Sequence, residues 1–146
     1  MALEDDIRTL GETPMLDQLG RDAQRLIAFS AERVRLAEGE ALFREGDRAD
    51  TAFVVASGSL ILTRGATEKR VGRATLVGEL ALLVDVARPA TATAAEPTEL
   101  LRIARSLFTR LFDEYPELAG ALRGRLMAKV QTNMDELKAI EARLRK

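Results

Sequence analysis

The sequence predicts a mainly β fold with flanking helices, an α+β arrangement in which a β-roll or jelly-roll barrel lies between N-terminal helices and a long C-terminal helix. Three observations predict it. Apolar residues recur at helical spacing at both ends of the chain. From Arg33 onward the pattern changes to alternation, with Val34 and Leu36 between charged residues. Glycines at 39, 46, 58, 65, 72 and 78 then cut the middle into short β-rich runs.

Taken in order, Ile7 and Leu10 mark a short helix that Pro14 ends, and Leu16, Leu19, Leu26, Ile27 and Phe29 mark a second. Residues 1–32 are therefore read as helices packed on the barrel, and 33–104 as the β-roll. Strands are expected at Val34 to Leu36, Ala41 to Phe43, Thr51 to Val55, Ser59 to Thr63, Lys69 to Leu76, Ala90 to Ala94 and Glu99 to Ile103. Gly46-Asp47 and Gly58-Ser59 read as turns. The segment 105–146 returns to helical period. Leu107, Phe108, Leu111 and Phe112 share one face, Ser106 is the expected N-cap, and the helix stops before Pro116, which suits the first turn of another.

That last helix, 116–146, carries Leu118, Leu122, Leu126, Val130, Met134, Leu137 and Leu144 over about seven turns. A stripe that outlasts its own barrel is expected to pair with a second copy, giving a parallel homodimer from about Leu126 onward; the other reading folds the stripe back on its own domain. Gly120 and Gly124 mark either a joint or a close contact with the barrel.

Composition removes several classes of function. With 22 Lys and Arg against 23 Asp and Glu, the chain lacks the basic excess of a nucleic-acid binder. With no cysteine and no histidine, disulfides, thiolate or imidazole zinc sites and histidine-dependent triads are absent. No apolar run reaches the ~18 residues of a membrane span, and the acidic start Met1-Ala2-Leu3-Glu4-Asp5-Asp6 lacks a secretory n-region, so the expected setting is cytoplasmic.

The chemistry concentrates in Gly78-Glu79-Leu80-Ala81-Leu82-Leu83 and the following Val84-Asp85-Val86-Ala87-Arg88-Pro89-Ala90-Thr91. A glycine allows close backbone approach, so the amides after it can face an anion. Arg88 supplies a planar fork that bonds two oxygens of a phosphate, and Glu79 accepts from a hydroxyl. A structural ion pair of Glu79 with Arg88 or Arg73 is the alternative.

Gly-Glu-Leu-Ala-Leu with an arginine nine residues after the glutamate resembles the phosphate-binding cassette of cyclic nucleotide-binding domains. The stretches Ala37-Glu38-Gly39-Glu40-Ala41-Leu42-Phe43-Arg44-Glu45-Gly46-Asp47 and Phe53-Val54-Val55-Ala56-Ser57-Gly58-Ser59-Leu60 match the same pattern in the same order, and the likeness runs from about Pro14 to about Val130. The resemblance implies that Glu79 binds a ribose 2′-hydroxyl and Arg88 the cyclic phosphate. Leu80 and Ala81 would open a short helix with amides toward the phosphate, and Ala90 and Thr91 would line the pocket. By analogy with the catabolite activator type, Thr132, Asn133 and Met134 fall where a helix touches the base. Asn133 can read a purine edge, and a solvated helix face is its other reading.

One departure lies inside the site. Family cassettes usually read Pro-Arg followed by Ala, Ser or Thr, whereas this chain reads Ala87-Arg88-Pro89-Ala90. Pro89 has no amide hydrogen, and losing one donor to a phosphate weakens binding by roughly 1–3 kcal/mol, about ten- to a hundredfold. The hydroxyl that favours guanine nucleotides in relatives is also missing, which leans toward cAMP over cGMP. Three classes result: a stand-alone cyclic-nucleotide sensor, with no enzymatic activity or cofactor, signalling through its C-terminal helices to an effector protein; a degenerate, ligand-free dimer module, favoured by Pro89; and an enzyme on a similar barrel, disfavoured by the absence of histidine.

Overall fold

The computed structural model describes residues 2–82, 85–116, 120, 123, 124, 127, 128 and 131. The chain opens with helix α1 (Ala2–Glu12), a 3-10 turn at Leu16–Gln18 and helix α2 (Arg21–Ser30). Strands follow as β1 (Glu32–Leu36), β2 (Ala41–Phe43), β3 (Arg48–Ala49), β4 (Thr51–Ser57), β5 (Leu60–Arg64), β6 (Thr67–Val71) and β7 (Leu76–Val77). After a 3-10 turn at Glu79–Leu82 come β8 (Val86–Ala87), β9 (Thr91–Ala94), β10 (Thr98–Ala104) and helix α3 (Arg105–Glu114).

All strand pairs are antiparallel. One sheet runs β1-β10-β4-β7, a second runs β2-β9-β5-β6, and β3 pairs with β8. This is the β-roll with flanking helices that the sequence predicts. Strand β4 shows why its apolar run is continuous, since it is covered on both faces. Ala52 and Val54 join Ile7, Leu10, Ile27, Ile103 and Phe108 in a core between sheet and helices. Phe53 and Val55 join Leu60, Val71, Ala92 and Leu100 inside the roll.

Arg33 clasps α1 to the roll. Its Nη2 donates to both oxygens of Asp6 at 2.7 Å, and its Nη1 to Glu99 at 2.9 Å. Arg73 ties the other end of α1 through Glu12 and Thr9.

Several local expectations are corrected. The span Lys69 to Leu76 is two strands, not one, because the chain turns between Val71 and Leu76 with Ala74 in the left-handed region at φ 63°. Ser106 is not the cap of α3: the N-cap is Ala104, with no side-chain cap bond, and the Arg105 amide donates to the Asp50 carbonyl at 3.0 Å, so backbone satisfies the first amide of the helix. Phe29, read as part of an apolar face, is 78% exposed. Pro116, Gly120, Arg123, Gly124, Met127, Ala128 and Gln131 are helical. The stripe at Leu118, Leu122, Leu126, Val130, Met134, Leu137 and Leu144, and Thr132 and Asn133, lie outside the described residues.

Candidate functional site

Residues of the cassette meet at a cavity of about 250 Å³ inside the roll. Gly78, Glu79, Leu80, Ala81, Arg88 and Ala90 line it; Thr91 does not. The pleat explains the exception. Ala92 is fully buried on the inner face, so its neighbour Thr91 turns outward, where its Oγ1 accepts from the Glu45 amide at 2.9 Å.

Arg88 is held from two sides. Its amide donates to the Asp47 carbonyl at 2.7 Å and its carbonyl accepts from the Gly46 amide at 2.9 Å, so the Gly46-Asp47 turn fixes its backbone. Its side chain, 5% exposed, lies with Cζ 4.3 Å from the Phe43 ring centre and 5.6 Å from that of Phe53. Nη2 donates to Thr51 Oγ1 at 3.0 Å. Nη1 is buried with no hydrogen-bond partner. Burial pushes the guanidinium below its ordinary pKa; Asp50 opposes the shift, Arg102 adds to it and Asp47 opposes it. It remains a cation, because guanidinium does not deprotonate in proteins.

Opposite Nη1 stands Gly78, at φ 78°. A Cβ there would overlap Nη1, so the glycine is what leaves room at this nitrogen. The chain then enters the four-residue 3-10 turn with Glu79 and Ala81 buried. The Ala81 amide closes that turn onto the Gly78 carbonyl at 3.1 Å, which corrects the expectation that it faces an anion. Of the two alternative partners of Glu79, Arg73 bonds Glu12 and Thr9, and Arg88 bonds Thr51.

Arg105 joins this turn to the start of α3. Its Nε donates to the Ala81 carbonyl at 2.5 Å, Nη1 to Asp85 at 2.9 Å and Nη2 to the Ala49 carbonyl at 3.0 Å. Among the described residues no group of three or more Asp and Glu stands close enough to hold a metal ion, and no helix is long and apolar enough to cross a membrane.

Sequence reasoning missed Phe43, Leu62 and Lys69 around the cavity, and Thr51 and Phe53 against Arg88. The available signal was parity: Thr51 shares the inward face of β4 with Phe53 and Val55.

The family model described as "Cyclic nucleotide-binding domain" matches residues 33–115. The chain belongs to the cyclic nucleotide-binding domain family. Within it, the chain is similar to a cyclic nucleotide-binding-like protein of Brucella abortus, with 38% identity and a TM-score of 0.66 over 75% of this chain and 98% of that one. It is similar to the catabolite activator protein of Thermus thermophilus, with 29% identity and a TM-score of 0.73 over 88% of this chain and 63% of that one. Among curated proteins it is 30% identical over 116 residues to the lysophospholipase nte1 of Neurospora crassa, covering 75% of this chain and 8% of that protein. The chain thus spans less than a tenth of the length of such curated relatives.

Proposed function

We propose that this chain is a regulatory module that binds a cyclic nucleotide, without enzymatic activity of its own. One observation carries the reading: a buried arginine presents an unpartnered Nη1 beside a glycine that keeps its surroundings open. Leaving a buried donor unmade costs about 1–3 kcal/mol, a cost that an anionic ligand oxygen removes. Glu79 is the acceptor for a ribose hydroxyl, and the aromatic bed of Phe43 and Phe53 holds the guanidinium in place. The hydroxyl missing after Arg88 leans the site toward cAMP over cGMP.

Binding draws the Gly78–Leu82 turn toward the phosphate. Arg105, bonded to the Ala81 carbonyl, passes that movement to α3 and so to the C-terminal helices, which pair in a homodimer and reach an effector protein in the cytoplasm. Only a ligand with unequal affinity for the two arrangements drives such a switch. The family resemblance would add Asn133 as a contact to the base.

A second reading, a ligand-free interaction module, is favoured by Pro89, which lines the cavity and has no amide hydrogen. Calorimetric titration with cAMP and cGMP, beside Arg88→Ala, decides between them. Saturable heat that disappears in the variant supports the nucleotide sensor; no heat at concentrations able to detect tens-of-micromolar affinity supports the ligand-free module. Sedimentation at two concentrations tests the dimer.

A further inference from the structure

The cavity that holds Arg88 is lined mostly by apolar groups. Leu62, Val71, Leu76, Val77, Leu80 and Val86 contribute aliphatic side chains, and the polar side chains among its described residues are Lys69, Thr75, Glu79 and Arg88. Lys69 is exposed on an edge strand, whereas Glu79 and Arg88 are buried. The volume of about 250 Å³ lies below the ~300–1,000 Å³ of pockets that enclose drug-sized ligands. A small body with few polar atoms fits such a space, because every polar atom taken into it needs a partner there.

Donors are scarce at the anion seat. Pro89 has no amide hydrogen, the Ala81 amide is spent on the Gly78 carbonyl, and the Arg88 amide on the Asp47 carbonyl. Arg88 Nη2 goes to Thr51. That leaves Nη1, beside Gly78, as the one buried side-chain nitrogen or oxygen without a partner among the described residues. The hydrogens of this one nitrogen are enough for a single carboxylate.

We propose that this seat also takes a monocarboxylate on an apolar body, with alkanoates of medium length as the class. The inference shares the anion seat at Arg88 with the nucleotide reading and nothing else. The carboxylate brings its charge to Nη1, where the bond is charge-assisted and removes the cost of an unmade buried donor. The alkyl body lies among the aliphatic lining and leaves no polar atom there unpaired. A cyclic nucleotide needs the same nitrogen for its phosphate, so the two ligands exclude each other.

Calorimetry titrates wild type with hexanoate, octanoate and decanoate, with octanol as the neutral analogue, and with cAMP and cGMP in the presence and absence of octanoate. The expected result is saturable binding of octanoate, an affinity that rises about fourfold per added methylene until the cavity is full, and octanol weaker by at least about tenfold. Octanoate is also expected to lower the apparent affinity for cyclic nucleotide. These comparisons use the wild-type chain and do not depend on a variant folding. Arg88→Met, checked for an intact fold by its melting curve, is expected to lose octanoate by at least about tenfold. Octanol that binds as tightly as octanoate, octanoate binding unchanged in Arg88→Met, or octanoate and cyclic nucleotide bound together would each overturn the assignment. If wild type binds cyclic nucleotide and no alkanoate, the inference fails and the nucleotide reading stands. If it binds alkanoate and no cyclic nucleotide, the nucleotide reading fails and the inference stands.

Discussion

Gly78 and Arg88 face each other so closely that a methyl group on the glycine would overlap the Arg88 Nη1 nitrogen, the one buried side-chain nitrogen or oxygen without a partner among the described residues. Gly78 also holds φ at 78°, where a side chain costs about 1–2 kcal/mol. Gly78→Ala is expected to lower stability by about that amount and to weaken ligand binding at least tenfold by displacing the guanidinium. Chemical denaturation and calorimetry on the same variant check both. A variant of unchanged stability that binds as wild type does would show the contact to be dispensable.

Arg88 is a stability liability in the absence of a ligand. A buried cation with one hydroxyl partner and one unpartnered nitrogen is replaced by a similar apolar volume at little cost or with gain. Arg88→Met is therefore expected to melt at or above the wild-type temperature without ligand and to gain no stability from cyclic nucleotide. A melting temperature well below wild type would mean that the guanidinium holds the roll together.

Thr51 is the partner that wild type does provide. Thr51→Val keeps the shape inside the roll and removes the acceptor of Nη2, so the buried guanidinium loses its one side-chain hydrogen bond among the described residues and stability falls by about 1–3 kcal/mol. In an Arg88→Met background the same change is expected to be nearly neutral. Additive effects in the double variant would sever the proposed link between the two residues.

What the sequence disclosed of this site is what lies close together along the chain. Gly78, Glu79 and Arg88 announce themselves because a glycine, an acid and a base at short fixed spacing carry their chemistry in their identities. Phe43 and Lys69 carry none until strand pairing brings them to the cavity, nor does Thr51 until it meets Arg88, and Leu62↔Lys69 or Phe43↔Ala92 is a register, which residue types do not spell out. The pairing of β3 with β8 has two residues per strand, too few for any period to show. Ser106 misled because the helix starts a residue before it, where the Asp50 carbonyl accepts the Arg105 amide, and a carbonyl has no signature in sequence. Ala74 hid the turn after β6 for a similar reason, since a left-handed alanine gives no signal where a glycine would.

The Arg33 clasp is expected to hold α1 to the roll. Asp6 is 8% exposed and takes both of its bonds from one guanidinium nitrogen at 2.7 Å. Removing the arginine strands a buried carboxylate, so Arg33→Gln is expected to cost about 3–5 kcal/mol and Arg33→Gln with Asp6→Asn clearly less. A double-mutant cycle by denaturant melts measures the coupling. Additivity would show that the hydrophobic contacts of Ile7 and Leu10 alone seat the helix.

Ligand affinity and stability are both expected to be flat between pH about 6 and 9, because the chain has no histidine or cysteine to titrate there. Burial lowers the pKa of Arg88, so the folded state is the weaker proton binder at this group. Stability would rise with pH only where the unfolded guanidinium keeps a proton that the folded one has lost, and that lies far above this window. On the acid side the sign is the same, but the window lies within reach. The Ser59 hydroxyl, and then Arg70, hold the Glu96 carboxyl below its ordinary range. The unfolded state takes up that proton first, so the contribution present at neutral pH is lost as pH falls through the lowered value. Ser59→Ala raises the folded-state titration toward the unfolded one and should soften the acid-side decline while leaving the plateau level in shape. Melting curves from pH about 3 to 9 on both proteins read this directly, and a wild-type affinity that changes severalfold within the plateau would point to a titrating group that Arg88 and the phosphate do not supply.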